Sequence, residues 1–362
     1  MASSKLPLAK LVRAIETARY RVGQLHRRML PAPAVMMEMI TNAWAAQAIT
    51  AAADLGIADA LANGPLTAQE LAAAIDANPD TVSRLLRALI SRGIFRQRRD
   101  GRYDLTPLAD TLRSDAEVSV AGFARFVGCP EHREHWSHLT DAVRTGRAVI
   151  PELRGKPAFE YLLGEPRLAA IFNDAMTSGS EFAIAAVTAT YDFSRYATIV
   201  DVGGGHGRLL AAILEATAGA HGVLFDLPEV VAGAPAVLSG HHVADRVQVV
   251  EGSFFDNVPD GGDAYVLKNV IHDWPDHEAV RILGNVRKAA AAGTNVLLVE
   301  FVIPEHDREF IGKWADLEML IAAAARERTG AEYGRLLERA GFRMTRVVET
   351  ASPFSVVEAQ AV

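Results

Sequence analysis

The stretch Asp201-Val-Gly203-Gly204-Gly205-His206-Gly207 sets glycines at alternate positions just before a helical segment that opens at Arg208. Glycines so spaced let the chain turn sharply and let a ligand approach bare backbone. They fit G-x-G-x-G; the dinucleotide fingerprint would need its last glycine at 208, where Arg208 stands. Asp226 closes the next apolar run, where a carboxylate can accept from both hydroxyls of a ribose, or simply cap the helix before Pro228. Two other constellations compete. Glu131, His135 and His138 fall at i, i+4 and i+7 on one helix face, a spacing open to a metal. Trp136 among them and the lack of cysteine ligands favour a polar helix face instead, and no metal is expected. Arg84, Arg87, Arg92, Arg96, Arg98, Arg99 and Arg102 share their stretch with one acid, Asp100. Basic helix-turn-helix modules bind phosphates, so a ligand-responsive DNA-binding regulator is the competing function.

The elements that must position these residues can be read from pattern. Before the glycines, Thr67-Ala-Gln-Glu70 is a capping box, Asn78-Pro79 opens a second helix, and Gly93 ends it. Ile94–Arg98 and Tyr103–Leu105 flank Asp100-Gly101, a two-residue hairpin signal, and Thr106-Pro107 caps the next helix. Two short helices and a hairpin read as a winged helix. From Val118 to about Thr190 the pattern is helical, with Gly146, Pro151, Gly155, Pro157 and Pro166 as turns.

After Arg195, short apolar runs alternate with helices: Thr198–Val202, Gly222–Asp226, Val247–Glu251, Ala264–Lys268 and Asn295–Val299. Continuous apolar strands of this kind imply a parallel sheet covered on both faces. Arg343–Glu349 and Phe354–Glu358 are joined only by Thr350–Pro353, so one strand near the end runs antiparallel. A glycine turn, an acid one strand later and a closing antiparallel hairpin together point to S-adenosylmethionine rather than NAD.

On these residues the sequence resembles the class I, metal-independent small-molecule O-methyltransferases related to caffeic acid, acetylserotonin and bacterial antibiotic O-methyltransferases. Its most specific element is Lys268-Asn-Val-Ile-His272-Asp273-Trp274, followed by Pro275-Asp276; Val223-Leu-Phe-Asp226-Leu-Pro-Glu229 and Ala340-Gly-Phe342 extend it over nearly the whole chain. The resemblance implies an α/β fold: a Rossmann-like methyltransferase sheet behind a mostly helical winged-helix dimerisation domain. It assigns Gly203, Gly205 and Gly207 to the methionine part of the cofactor, Asp226 to the ribose, Ser253 and Phe254 to the adenine end, and Lys268 to a further cofactor contact. Ser253 stands where family members often carry aspartate; a serine still accepts a hydrogen bond but lacks the charge, and Asp256 is near enough to compensate.

By the same resemblance His272 is the general base, flanked by Glu300 and Glu327, while Phe172, Met176 and Met319 line the acceptor pocket. Methyl transfer from a sulfonium is an in-line displacement that needs an aligned, nucleophilic oxygen. A phenol, with a pKa of about 10, is mostly protonated at neutral pH, and a histidine near about 6.5 suits the task of taking its proton. Some relatives use the bound cofactor for chemistry other than methyl transfer, and an intact His272 argues against that here.

Composition bounds the rest. The 362 residues favour two domains, divided here as 1–115 (arm and winged helix) and 116–362 (a helical pocket region, 116–195, and the cofactor region, 196–362). With 37 basic and 44 acidic side chains the formal charge is −7, which offers no bulk attraction to nucleic acid or anionic membrane. No apolar run suits a membrane span, and the single cysteine, Cys129, fits a reducing, cytoplasmic setting. Leu8, Leu11, Ile15, Ala18, Val22, Leu25 and Met29 alternate spacings of three and four, a heptad seam between Pro7 and Pro31. The basic segment has the makings of a transit peptide, but the seam favours a partner-binding arm, so a homodimer through the N-terminal region is expected.

Overall fold

The computed structural model describes residues 9–362, apart from the side chains at 178, 179, 181 and 182; Pro7 and Leu8 of the seam lie outside the described residues. The chain forms two compact units, one of residues 21–139 and 156–182, the other of 140–155 and 183–362 with Tyr20 and the described residues before it.

Helix α1 (Ala9–Arg28) buries no residue, and α2 (Ala32–Asp54), entered through Pro31, buries only Thr50, Ala52 and Ala53. Leu11, Ile15, Val22 and Leu25 on α1, Met29 just after it, and Met36, Met37, Met39, Ile40 and Trp44 on α2 are all exposed in the single chain. In the next helix, Ala68–Ala74, the capping box forms as read, with the Thr67 hydroxyl accepting from Glu70 N–H and the Glu70 carboxylate from Thr67 N–H. Asn78 caps Pro79–Ile90, and the apolar face of that helix packs Val82, Leu86 and Leu89 against Leu71, Phe95 and Tyr103. The hairpin is β1 (Phe95–Gln97) on β2 (Tyr103–Leu105). Its loop has three residues rather than two: Arg98 N–H donates to Arg102 C=O, and Gly101 sits at φ +82° between them. Arg96 pairs with Asp104 at 2.5 Å and Arg102 with Glu70 at 2.7 Å, so part of the wing's positive charge is met within its own fold.

Pro151 does not mark a turn. It lies in the first turn of the helix Val149–Arg154, where its missing N–H leaves no helical bond unmade.

In the second unit β3 (Thr198–Val202), β4 (His221–Asp226), β5 (Val247–Glu251), β6 (Ala264–Lys268), β7 (Asn295–Ile303), β8 (Arg328–Thr329), β9 (Phe342–Glu349) and β10 (Phe354–Ala361) build the sheet, in the order β5-β4-β3-β6-β7-β10-β9 with β8 beside β7. Only β10 runs against its neighbours, pairing antiparallel with both β7 and β9. Side chains alternate between two cores, Ile199, Val266 and Leu297 on one face and Val200, Val202 and Leu267 on the other, which is why the strands read as unbroken apolar runs. Strand β7 outlasts its expected end at Val299 because β10 and β8 go on pairing with it through Ile303. Among the described residues no helix is long and apolar enough to cross a membrane.

Candidate active site

The turn after β3 takes the backbone form that its glycines permit. Gly203, Gly205 and Gly207 have φ of +68°, +61° and +81°. A Cβ on Gly203 would stand 2.9 Å from the Val270 side chain and 3.5 Å from the Phe254 ring, whereas one on Gly205 would meet nothing within 4 Å. The turn is thus packed from one side and bare on the other, at the carboxyl edge of a parallel sheet, where such folds take their ligands. One Asp226 oxygen accepts the Gly205 N–H at 2.8 Å, and the other accepts Leu227 N–H at 2.7 Å. Burial pushes the Asp226 carboxyl above its usual range, against the pull of these two donors. Asp226 therefore anchors the glycine turn as well as standing beside it.

Behind the turn, burial pushes Asp201 up to about 7 and draws Lys268 down, and the two oppose each other's shift by mutual attraction. Ser253 uses its hydroxyl to accept Phe255 N–H at 3.2 Å. Buried Asn285, not singled out by its sequence context, donates to the carbonyls of both Phe254 and Phe255 at 3.0 Å. Those rings meet Trp274, with centroids 6.1 Å and 4.7 Å away, so the segment at Ser253 and the His272 loop share one aromatic cluster.

His272 sits in a short 3-10 turn, Ile271–Asp273, after β6. Its Nδ1 lies 2.8 Å from a Glu327 oxygen; an ionised carboxylate only accepts, so Nδ1 carries the hydrogen there. Nε2 lies 3.4 Å from Asp273. Glu300 comes from inside β7, not from its end: it is the first residue past the ladder with β6, which stops at Val299. One of its oxygens accepts Val270 N–H at 3.2 Å and Ile271 N–H at 2.9 Å, and the other faces His272 Nδ1 at 3.9 Å. Glu327 and Glu300 each keep one buried oxygen without a hydrogen bond. Burial alone would lower the imidazole's pKa, but Asp273, Glu300 and Glu327 outweigh it and push His272 up to about 10. That departs from the near-neutral histidine expected from sequence, because the carboxylates arrive from segments distant along the chain. Burial likewise pushes Glu300 up to about 7.

Among the described residues, His272, Glu300 and Glu327 form a group with ligand atoms within 4.8 Å of one another, close enough for a cation. The imidazole ring itself, charged when protonated, fills that role, with Nδ1–H already on Glu327. Glu131 is instead paired with Arg167, and His135 is buried against Tyr161, so the helix bearing them is no open polar face.

Asp316, on the helix Ile311–Ala323, accepts the Glu327 N–H at 2.9 Å and was not singled out in sequence as a support for that residue. Met319 lies three residues on, half-buried on the same face. Phe172 and Met176 belong to the other unit, where Phe172 packs edge-on against Phe126 and Met176 is exposed.

Comparison with known proteins shows the family. The O-methyltransferase domain pattern matches residues 136–343, and the O-methyltransferase dimerisation domain pattern matches 37–115. A phenazine O-methyltransferase of Lysobacter antibioticus is 39% identical over 92% of this chain and 97% of its own. An 8-amino-8-demethylriboflavin N,N-dimethyltransferase of Streptomyces davaonensis is 34% identical over 85% of this chain and 89% of its own. The crystal structure of an O-methyltransferase from neocarzinostatin biosynthesis, in complex with S-adenosylmethionine and 2-hydroxy-5-methyl naphthoic acid, superposes with a TM-score of 0.74 at 35% identity, covering 88% of this chain and 96% of that one. The chain belongs to the O-methyltransferase family and is an S-adenosylmethionine-dependent O-methyltransferase with the family's dimerisation domain.

Proposed function

We propose that this enzyme methylates a phenolic hydroxyl of a small aromatic molecule in bacterial-type secondary metabolism, with His272 as the base. The observation that carries the reading is the buried Glu327–His272 pair at 2.8 Å, which fixes one ring nitrogen, so that Nε2, 3.4 Å from Asp273, is the nitrogen to face the acceptor. S-adenosylmethionine supplies a methyl group already activated on sulfur. The open side of the turn at Gly205 suits close approach to the methionine part, and Asp226 suits the ribose hydroxyls. Phe254 offers a flat apolar face to the adenine, beside Ser253, and Lys268 remains a cofactor contact. Phe172, Met176 and Met319 are proposed acceptor-pocket residues.

The phenol proton passes to Nε2, and the imidazolium so formed is stabilised by Glu327, Glu300 and Asp273. Removing that proton as the methyl is transferred makes the oxygen a better nucleophile without adding a charge to the buried site. No step calls for a metal. We further propose a cytoplasmic enzyme, in keeping with the lone, buried Cys129.

Screening phenols and aromatic amines with isotopically labelled cofactor, with and without a chelator, and identifying products by mass spectrometry tests the reading. Methylated phenols formed equally with chelator present support it; exclusive methylation of amines overturns the phenolic acceptor.

The charge state of His272 gives a pH dependence. With its pKa raised to about 10, the resting imidazole is protonated at neutral pH and the competent neutral form grows as pH rises. Thus kcat/KM should climb from about pH 7 to about pH 9, by at most about tenfold per unit. In His272→Ala any rise that remains should follow the phenol's own ionisation, at about 10, at a much lower rate. A plateau reached by about pH 7.5 would show that the imidazole is neutral at rest.

We also propose that the exposed seam of α1 joins two copies of the chain. Burying side chains such as Ile15 and Val22 yields roughly 1.5–3 kcal/mol for each large one, so a partner surface is strongly favoured. Ile15→Asp with Val22→Asp would place two charges in the seam and should split or destabilise the dimer. Sedimentation of this variant as an unchanged, equally stable dimer would place the seam elsewhere.

A further inference from the structure

We infer that Arg328 is a positioning residue that clamps the His272 turn against Glu327, an inference that rests on the proposed role of His272. The Arg328 side chain is 1% exposed, the largest fully buried side chain among the described residues. A guanidinium is that deeply buried only where its donors are nearly all met. Here Nη1 donates to Ile271 C=O at 2.9 Å and to Arg326 C=O at 3.3 Å; Nη2 donates to Trp274 C=O at 3.0 Å and to Asp276 at 2.8 Å; Nε donates to Asp276 at 3.2 Å. Ile271 and Trp274 bracket the turn that carries His272, so one rigid fork grips both ends of it.

The neighbouring residues grip the same turn. Arg326 N–H donates to His272 C=O at 3.2 Å, and Glu327 takes Nδ1–H at 2.8 Å. Three consecutive residues therefore fasten the backbone of the turn, its imidazole and its flanking carbonyls. The segment is itself moored, because Thr329 and Glu332 form a capping box that starts the helix Gly330–Arg339, with Tyr333, Leu336 and Leu337 in the core. Asp273 from the turn itself, Glu300 from β7 and Glu327 face the imidazole, while Arg328 acts on the backbone that holds it. A lysine keeps the charge but, as a point donor on a flexible stem, cannot span both carbonyls and Asp276.

Arg328 also lines a cleft of about 220 Å³ with Arg326, Glu332 and Arg335 among others, so the space left by its removal would adjoin a cleft that a small ion can enter. The test uses full-length Arg328→Lys and Arg328→Ala. Because a misplacement of about 1 Å can cost about a hundredfold, kcat of Arg328→Lys should fall by about ten- to a hundredfold with KM and cofactor affinity nearly unchanged. Nitrogen-15 NMR should show the His272 ring titrating closer to its ordinary range than in the wild type. Millimolar guanidinium should restore part of the Arg328→Ala rate where sodium chloride at equal ionic strength does not. The NMR readout does not depend on methyl transfer: a shifted titration in Arg328→Lys alongside a fully active His272→Ala would uphold the clamp while refuting the base. Wild-type kcat with an unshifted titration in Arg328→Lys overturns the clamp. So does a rate loss that only tracks lost folded protein without rescue, or failure of both variants to fold.

Discussion

Replacing His272 by alanine should lower kcat by about two to four orders of magnitude while leaving S-adenosylmethionine affinity within about twofold of the wild type. The expected size follows from what is lost. The phenol must shed its proton at or before methyl transfer, and His272 is the one imidazole of this cluster among the described residues; Glu300 Oε1 is engaged by two backbone N–H groups and Glu327 faces Nδ1. Cofactor binding should survive because the hydrogen bonds of the glycine turn and Asp226 run to Phe225, Leu227, Ala211, Gly252 and one another, and not to the imidazole. The variant leaves buried carboxylates without their cation, so they are expected to take up protons, and the fold should tolerate this. Calorimetry of cofactor binding beside steady-state rates separates the two effects. A rate within about threefold of wild type would end the assignment of His272 as base.

Much of this arrangement was legible in the chain because it depends on local signals. The glycine turn, the capping box at Thr67, the Asn78 cap and the apolar runs of β3, β4 and β6 each follow from backbone preferences or burial on both faces. The hairpin loop and the end of β7 were less legible. A wing with Asp100-Gly101 suits either loop length, and Phe301, Val302 and Ile303 continue as a strand only because β10 and β8 are there to pair with them. His272, Glu300 and Glu327 were found through resemblance to a family, since residues from three separate segments carry no common spacing. The raised pKa of His272 was out of reach for the same reason. Arg328 left no trace at all: in Arg326-Glu-Arg-Thr329 it looks like one more surface charge, and its burial depends on carbonyls at Ile271 and Trp274 that a sequence does not display. Asn285 is similar, its side-chain amide spent on two backbone carbonyls across the loop.

Asp226→Ala should weaken S-adenosylmethionine binding by as much as about a hundredfold with a smaller effect on the chemical step. A charged acceptor contributes about 1.5–3 kcal/mol for a hydrogen bond to it, and each tenfold in affinity is about 1.4 kcal/mol, so losing a carboxylate proposed to accept from two ribose hydroxyls would account for one to two decades after hydration is repaid. The structure adds a second loss. The same carboxylate holds Gly205 N–H at 2.8 Å, and without it the turn at φ +61° gives up an anchor that keeps its bare side presented. Asp226→Asn separates the two contributions, because its amide oxygen can still accept the Gly205 N–H while the charge toward the ribose is gone. Its affinity should therefore fall between wild type and Asp226→Ala. Calorimetric titration with S-adenosylmethionine and with S-adenosylhomocysteine should give the same ranking, since both carry the ribose. Equal affinity in all three proteins would remove Asp226 from the ribose site and leave it only as the support of the glycine turn.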